Sequence, residues 1–462
     1  MASGRPSGTK SSDIVSRKAG ILADSTFGTQ IARDELHVAA RIDNFRHIAR
    51  AYGNGTATAV FEEVCQTFCD LVSINYFGSG IVLPGEDGAF SLILRSAADT
   101  PATGPDSLLA RFAIVWSVIG SSSFEHGDAR IHVALAATSA RSPAPASAAD
   151  RDTRLLAEAR ETLARLPLQG APPEPGHGWL RKYRNDMAAA AGFFAAAEAD
   201  GLLVAWQAVR GTRAPDGILY HETLLRCLAA DGDAALPGET IALLEGLGLI
   251  CALDRLMVFR VIEELVESPR VCLGVNISAQ SARLDPWWEG VTHCLAAYGR
   301  LGTRLFIEIT ETLPMLSKAD ALEFASSLRG VGCKLVIDDF GVGHASFWSL
   351  LGLAPDVVKI DGGFLRRAAG CERNRVILYH IVGLARALAP AVVIEGVETA
   401  DLAEAALASG ADWQQGYFLG RPSIVRSWKR YPANDDTVRA APPRRLAGAT
   451  PDAAGSARKA RR

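Results

Sequence analysis

Hydrophobic positions follow two regimes along the chain. In the first 140 residues short alternating runs mix with helical spacing. LHVAARID from Leu36 reads as a strand, and the stretch from Asn44 to Val72 reads as one or two helices interrupted at Tyr52-Gly53-Asn54-Gly55. GIVLPGEDGAFSLIL is a pair of β-like runs about a Pro-Gly-Glu-Asp-Gly turn, which signals a hairpin. A helix from about Asp106 to Val118 and a strand in RIHVALAAT complete a small mixed α/β unit. From Trp179 to Trp428 the pattern changes. LLVAWQAV, VCLGVNIS, LFIEIT, KLVIDDF, VVKID and VVIEGVE are nearly continuous apolar runs separated by helical patterns, as expected of strands buried on both faces of a parallel sheet. Alternation of this kind over about 250 residues predicts a (β/α)8 barrel of the TIM type.

Between the two regimes the composition shifts to Ala, Pro, Ser and charge, with a helical pattern through LLAEARETLARL. The expected organisation is therefore a disordered N-terminus (1–26), a small α/β domain (27–140), a linker with one helix (141–184), the barrel (185–432) and a flexible basic tail (433–462) that ends ARKARR. Charge is nearly balanced, with 48 Lys+Arg against 51 Asp+Glu, a net charge of -3, and 48% hydrophobic residues. That balance disfavours a strongly basic nucleic-acid binder and an acidic disordered chain, so no nucleic-acid polymer is expected as a partner. No apolar stretch reaches the roughly 20 residues needed to cross a bilayer, and the first residues lack the apolar segment of a signal peptide, so a cytoplasmic protein with no membrane span is expected. Eight cysteines are scattered without a CxxC pair, and they read as small hydrophobes rather than metal or redox groups.

The chemistry of the second half lies in where its carboxylates fall. Apolar runs end in Glu308, in Asp338-Asp339 and in Glu395, while Asn276 ends VCLGVN and Glu222 follows GILYH. In a barrel the strand ends converge on the face that carries active sites. Carboxylates crowded there repel one another unless cations neutralise them, and an oxygen-only donor set suits Mg²⁺ or Mn²⁺. An adjacent Asp-Asp can bridge two ions, the arrangement used for displacement at phosphorus. Lys359 and Arg226 add the positive charge that a phosphate ester requires.

These residues carry a family resemblance. Residues of about 185 to 432 resemble an EAL domain, the family of cyclic di-GMP phosphodiesterases, with motifs in order: Glu222-Thr223-Leu224-Leu225-Arg226, VNISA, EITET from Glu308, DDFG at Asp338, VVKID around Lys359, EGVET at Glu395 and QGYFLGRP from Gln415. The resemblance implies a barrel whose first strand, LLVAWQAV, runs antiparallel to the rest. It also implies metal ligation, of two ions, by Glu222, Asn276, Glu308, Asp338, Asp339 and Glu395. By the same resemblance Lys359 would orient the attacking water, with Glu395 a candidate general base. Glu311 would hold the loop after Asp339, and Glu398 and Gln415 would support the water shell and substrate. Gln207, Leu224, Arg226 and Asp254 match positions that contact the dinucleotide. The implied reaction opens cyclic di-GMP to linear pGpG, and the implied assembly is a homodimer through the EAL domain. The alternative is a receptor that holds the dinucleotide without cutting it. Thr223 and Ala208 depart from the family pattern, as does the loop Gly341-Val342-Gly343-His344-Ala345-Ser346, which has lost hydroxyls.

Residues of about 27 to 140 resemble a GGDEF domain more faintly, through ARIDNFRHIARAYGNG and the hairpin. Arg41 stands where that family has its first metal aspartate, and the signature reads Glu86-Asp87-Gly88-Ala89-Phe90. A structural or regulatory domain without cyclase activity is expected.

Overall fold

The computed structural model describes residues 35–73, 79–96, 104, 106–140, 148–166, 176–199, 202–228, 234–235, 238–310, 318–342 and 352–429. The expected N-terminal and C-terminal tails, Glu311 and loop positions 343–346 lie outside the described residues.

The N-terminal half is an antiparallel sheet of β1 (Glu35–Ile42), β2 (Ser79–Pro84), β3 (Ala89–Arg95) and β6 (Leu135–Ala140) in the order β2-β3-β1-β6, with a small separate hairpin of β4 (Phe124–His126) and β5 (Ala129–Ile131). The two helices expected around Gly53 are α1 (Phe45–Tyr52) and α2 (Asn54–Ser73). RIHVALAAT is divided between β5 and β6 rather than forming one strand. Helix α3 (Leu108–Ser121) has almost no polar face. A helix that is apolar all round must be covered on all sides, and α3 is buried at every position except Arg111 because it lies between its own domain and the barrel.

The segment 141–184 holds more than one helix: α4 (Ala148–Arg165) lies within it whole, and α5 (His177–Glu198) begins in it. Helix α4 lays Leu155, Ala159 and Leu163 on Ala39, Ala136 and Ala140 of the sheet. Arg41 fixes its end, since Nη1 donates to the Leu163 carbonyl at 2.6 Å and Nη2 to the Leu166 carbonyl at 3.2 Å, while Nε donates to Asp43 Oδ1 at 2.5 Å. A cation at a helix C-terminus satisfies carbonyls that have no intrahelical partner.

The barrel contains β7 (Leu202–Gly211), β8 (Ile218–Leu228), β10 (Leu273–Ser278), β11 (Leu305–Thr310), β12 (Lys334–Phe340), β13 (Val357–Ile360), β14 (Ala391–Ile394) and β15 (Trp413–Gln414), with the short β9 (Ala234–Ala235) appended to β8. Strand β7 is antiparallel to both of its neighbours, β8 and β15, and every other barrel pairing is parallel, including the β8–β10 pairing that closes the ring. Inside, Val209, Tyr220, Phe306, Val336, Val357 and Val393 form a dry floor. Of the helices outside, α6 (Gly238–Leu247), α7 (Ile250–Glu267) and α8 (Pro286–Ala297) face the N-terminal half or the linker helices. Asp285 caps α8 by accepting from Trp288 N–H at 2.9 Å, and its other oxygen pairs with buried Arg255 at 2.7 Å.

The two halves share one hydrophobic core that includes Phe112, Trp116, Trp287 and Trp288. Across the seam Trp287 Nε1 donates to Ser117 Oγ at 2.7 Å. Gly290 permits the close approach of α3 and α8, since a Cβ there would fall 2.3 Å from the Leu109 carbonyl oxygen and 2.8 Å from Ala113 Cβ. Gly290→Ala is expected to force the helices apart at a cost of about 1–3 kcal/mol and to lower the thermal midpoint of the full chain. An unchanged midpoint would mean that the seam is not this tight.

Candidate active site

Five barrel strands and the loop after β14 deliver the site. Glu222 on β8 pairs in register with Gly274 on β10 and with Gln207 on β7, and Asn276 on β10 lies opposite Glu308 on β11. Lys359 comes from β13, and Glu395 directly follows β14. Successive strand residues point to opposite faces, so Asp338 and Asp339 would ordinarily diverge. A register irregularity between Ile337 and Phe340 and a left-handed φ of 55° at Asp339 break that alternation. Asp339 N–H donates to Asp338 Oδ1 at 3.0 Å, which fixes the turn. A bulge re-aims a side chain in this way at functional sites, and here oxygens of Asp338, Asp339 and Glu395 come within 4.8 Å of one another. A second group, Glu222, Glu308 and Asp338, meets the same criterion. Asp338 belongs to both.

Lys359 stands at the centre, 0% exposed. Its Nζ is 2.7 Å from Glu395 Oε1, 2.9 Å from Glu308 Oε2, 3.1 Å from Asp338 Oδ1 and 3.2 Å from Glu222 Oε2. Burial opposes its charge, but the surrounding carboxylates hold the proton and raise its pKa well above the ordinary value. Burial likewise pushes Glu308 up to about 8 and Asp338 up to about 6, and raises Asp339 and Glu395. Glu222 is the exception. Burial disfavours its charge too, yet Lys359 and two amide donors outweigh that effect and its pKa is lowered. Asn276 Nδ2 reaches Glu222 Oε1 at 2.7 Å, and Gln415 Nε2 reaches Oε2 at 2.7 Å. One ammonium cannot neutralise five carboxylates, and the surplus negative charge in a dry barrel draws either protons or cations.

The donors suit a hard divalent cation. Among the described residues Glu308 Oε1 and Asn276 Oδ1 are buried and without a hydrogen-bond donor, and the two acidic groups offer carboxylate oxygens alone. The described residues thus contain acidic groups able to hold divalent ions where the strand-end pattern predicts them.

The other expected residues are distributed unevenly. Gln207 Nε2 donates to the Gly420 carbonyl at 2.9 Å and its Oε1 accepts from Gln415 at 3.3 Å, so Gln207 and Gln415 brace Glu222. Leu224 and Arg226 share the face of Glu222 on β8 and lie above it toward the open end of the barrel, with Arg226 Nη1 on the Leu225 carbonyl at 2.8 Å. Asp254 on α7 does not join the acidic cluster. Its Oδ2 accepts from Ser278 N–H at 2.9 Å and from Ser281 O–H at 2.5 Å, propping the end of β10, and burial pushes its pKa up to about 7. It also lines a cavity of about 320 Å³ at the seam, opposite Asp43. Glu398 is exposed in the loop after β14. Sequence reasoning passed over Tyr220 and Gly274, which underlie Glu308. The signal was present in ILYHE and LGVN, whose residues two before the ligands must face the same side.

Comparison with known proteins agrees with this geometry. Residues 192–422, half of the chain, match the EAL domain family. The cyclic di-GMP phosphodiesterase PdeF of Escherichia coli (strain K12) is 30% identical over 220 residues, which cover 47% of this chain and 29% of that protein. The cyclic di-GMP phosphodiesterase PdeB of Shewanella oneidensis is 28% identical over 237 residues, 50% of this chain and 28% of that one. The chain thus spans less than a third of the length of these curated relatives. A solved structure described as the PaMucR phosphodiesterase in complex with c-di-GMP is 30% identical, with 49% of this chain and 94% of that chain covered and a TM-score of 0.43. With its ordered motifs, its barrel with one reversed strand and the matched span, the chain belongs to the EAL domain family.

Proposed function

We propose that the protein hydrolyses cyclic di-GMP to linear pGpG, with two Mg²⁺ or Mn²⁺ ions held by Glu222, Asn276, Glu308, Asp338, Asp339 and Glu395. The observation that carries this reading is the crowding of four carboxylates around one buried ammonium with Asp339 beside them, and acceptor oxygens of Glu308 and Asn276 that find no donor among the described residues. If all five are ionised the formal surplus is four negative charges, the charge of two divalent cations. Bound there, such ions supply Lewis acidity toward a phosphodiester and make a water acidic enough to ionise near neutral pH. Lys359 keeps its proton on Nζ, so it acts as a donor and fixed positive charge, orienting the nucleophilic water rather than abstracting from it. Glu395, whose side chain is 22% exposed where that of Glu308 is fully buried, is the candidate to accept the water's proton. Arg226 offers a guanidinium to the dinucleotide, Leu224 an apolar surface to a base, and Gln207 and Gln415 keep Glu222 aimed inward. A role for Glu311 and Glu398 in ordering the loop and the water shell is part of the same proposal.

The N-terminal half is proposed as a non-catalytic, structural or regulatory domain. Arg41 is committed to capping α4, and Gly88 of the degenerate signature packs so tightly on Phe45 that a Cβ would lie 2.8 Å from its ring. A homodimer through the barrel is supported by the exposed apolar side chains Val376, Ile377, Tyr379 and Leu384 on the helix Glu372–Leu388.

Incubation of the full chain with cyclic di-GMP and Mn²⁺ or Mg²⁺, followed by chromatography, is expected to yield pGpG. Retention of uncut dinucleotide would replace this reading with the receptor. Asp338→Asn removes the residue common to both acidic groups, and its rate is expected to fall by more than tenfold, over about 1.4 kcal/mol of barrier. A variant that keeps most of its activity would refute the bridging role. With GTP and Mg²⁺ the Asp338→Asn chain, which is slow to consume cyclic di-GMP, is expected to form neither cyclic di-GMP nor pGpG, and detection of either would overturn the assignment of the N-terminal half. Light scattering of Tyr379→Glu/Leu384→Glu should show a smaller species than the parent chain, whereas an unchanged mass would place any dimer contact elsewhere.

A further inference from the structure

We infer that Tyr220 is a positioning residue for the metal centre, its hydroxyl donating from below to the Glu308 carboxylate and holding that carboxylate in the orientation that accepts a cation. The inference rests on the metal-centre reading given above. Tyr220 precedes Glu222 by two residues on β8, so it projects to the same face one layer deeper in the barrel. Phe306 stands in the same relation to Glu308 on β11, and the two rings stack with centroids 4.4 Å apart and planes 19° from parallel. Tyr220 is 0% exposed, and its hydroxyl has no hydrogen-bond partner among the described residues. Its neighbours in the floor, Val209, Phe306, Val336, Val357 and Val393, offer no polar side-chain atom.

Above this layer Glu308 presents the complementary deficit. Its Oε2 lies beside Lys359, while Oε1 has no donor. A buried donor and a buried acceptor each left without a partner are both costly, the more so where one is charged. The two groups share one space. A Cβ built on Gly274 would fall 2.3 Å from Glu308 Oε1 and 2.6 Å from Tyr220 Cε2, so the missing side chain at Gly274 is what lets ring and carboxylate meet. Lys359 divides its protons among four carboxylates, and the amides of Asn276 and Gln415 are committed to Glu222. The phenol is the donor left for Glu308, directly or through one water. Partners behind a metal ligand fix its orientation, and their loss commonly weakens metal binding by about 10–100-fold.

The test is calorimetric titration of the metal-stripped full chain with Mn²⁺, for the wild type and Tyr220→Phe. The substitution keeps the ring and its stacking and removes only the hydroxyl. About tenfold weaker Mn²⁺ affinity is expected, with the fold kept because the ring and its stacking on Phe306 remain. A role in packing alone would leave Mn²⁺ affinity at the wild-type value, and that result would overturn this inference while leaving the metal centre standing. Gly274→Ala, which intrudes between ring and carboxylate, should weaken Mn²⁺ binding at least as much, and wild-type affinity there would equally overturn the inference. Failure of the wild-type chain to bind Mn²⁺ would overturn the metal-centre reading and this inference with it.

Discussion

The structure is organised around the Lys359 ammonium, enclosed by Glu222, Glu308, Asp338 and Glu395 at 2.7–3.2 Å in a dry barrel. Removing that cation alone would leave several like charges in a low-dielectric space, a cost that breaking a buried ion pair puts at roughly 3–5 kcal/mol. One ammonium cannot balance five carboxylates, so the fold holds a standing demand for further positive charge. The geometry that creates the demand is deliberate in the chain: a bulge with a left-handed residue at Asp339 turns two adjacent carboxylates to one side, and Gly274 leaves room for Glu308 and the phenol beneath it. Such strain and crowding persist only where the surrounding structure over-determines them.

The N-terminal half is coupled to this centre through packing. Helix α3 lies on α8, α8 is capped by Asp285, Asp285 pairs with Arg255, and the neighbouring Asp254 holds Ser278 and Ser281 just beyond Asn276. Arg41 ties α4 to the sheet. The seam joins the two halves into one core rather than two beads on a linker.

Much of this was legible in the sequence, for physical reasons. Parallel barrel strands are buried on both faces, so their continuous apolar runs stood out, and acids at the ends of those runs marked Glu308, Asp338, Asp339 and Glu395. Strand β8 was harder to see, because a strand carrying Glu222 inward and Thr223 outward mixes polar and apolar residues, and β15 is only two residues long. The bulge at Asp339 and the centrality of Lys359 depend on several strands at once and leave no local pattern. The seam did leave a signal: LLARFAIVWSVIGS has no polar face, which required a second partner for α3. The helical pattern of LLAEARETLARL marked α4, but not the sheet face on which its Leu155, Ala159 and Leu163 pack, since that partner is distant in the chain.

Anomalous diffraction from crystals of the full chain soaked in Mn²⁺ bears most directly on the central claim that these carboxylates hold two cations beside Lys359. The account predicts two peaks about 3.5–4 Å apart, both within ligand distance of Asp338, with Glu308 on one and Asp339 on the other. A cluster that stays empty of Mn²⁺, its charge met by protons and Lys359 alone, would contradict it.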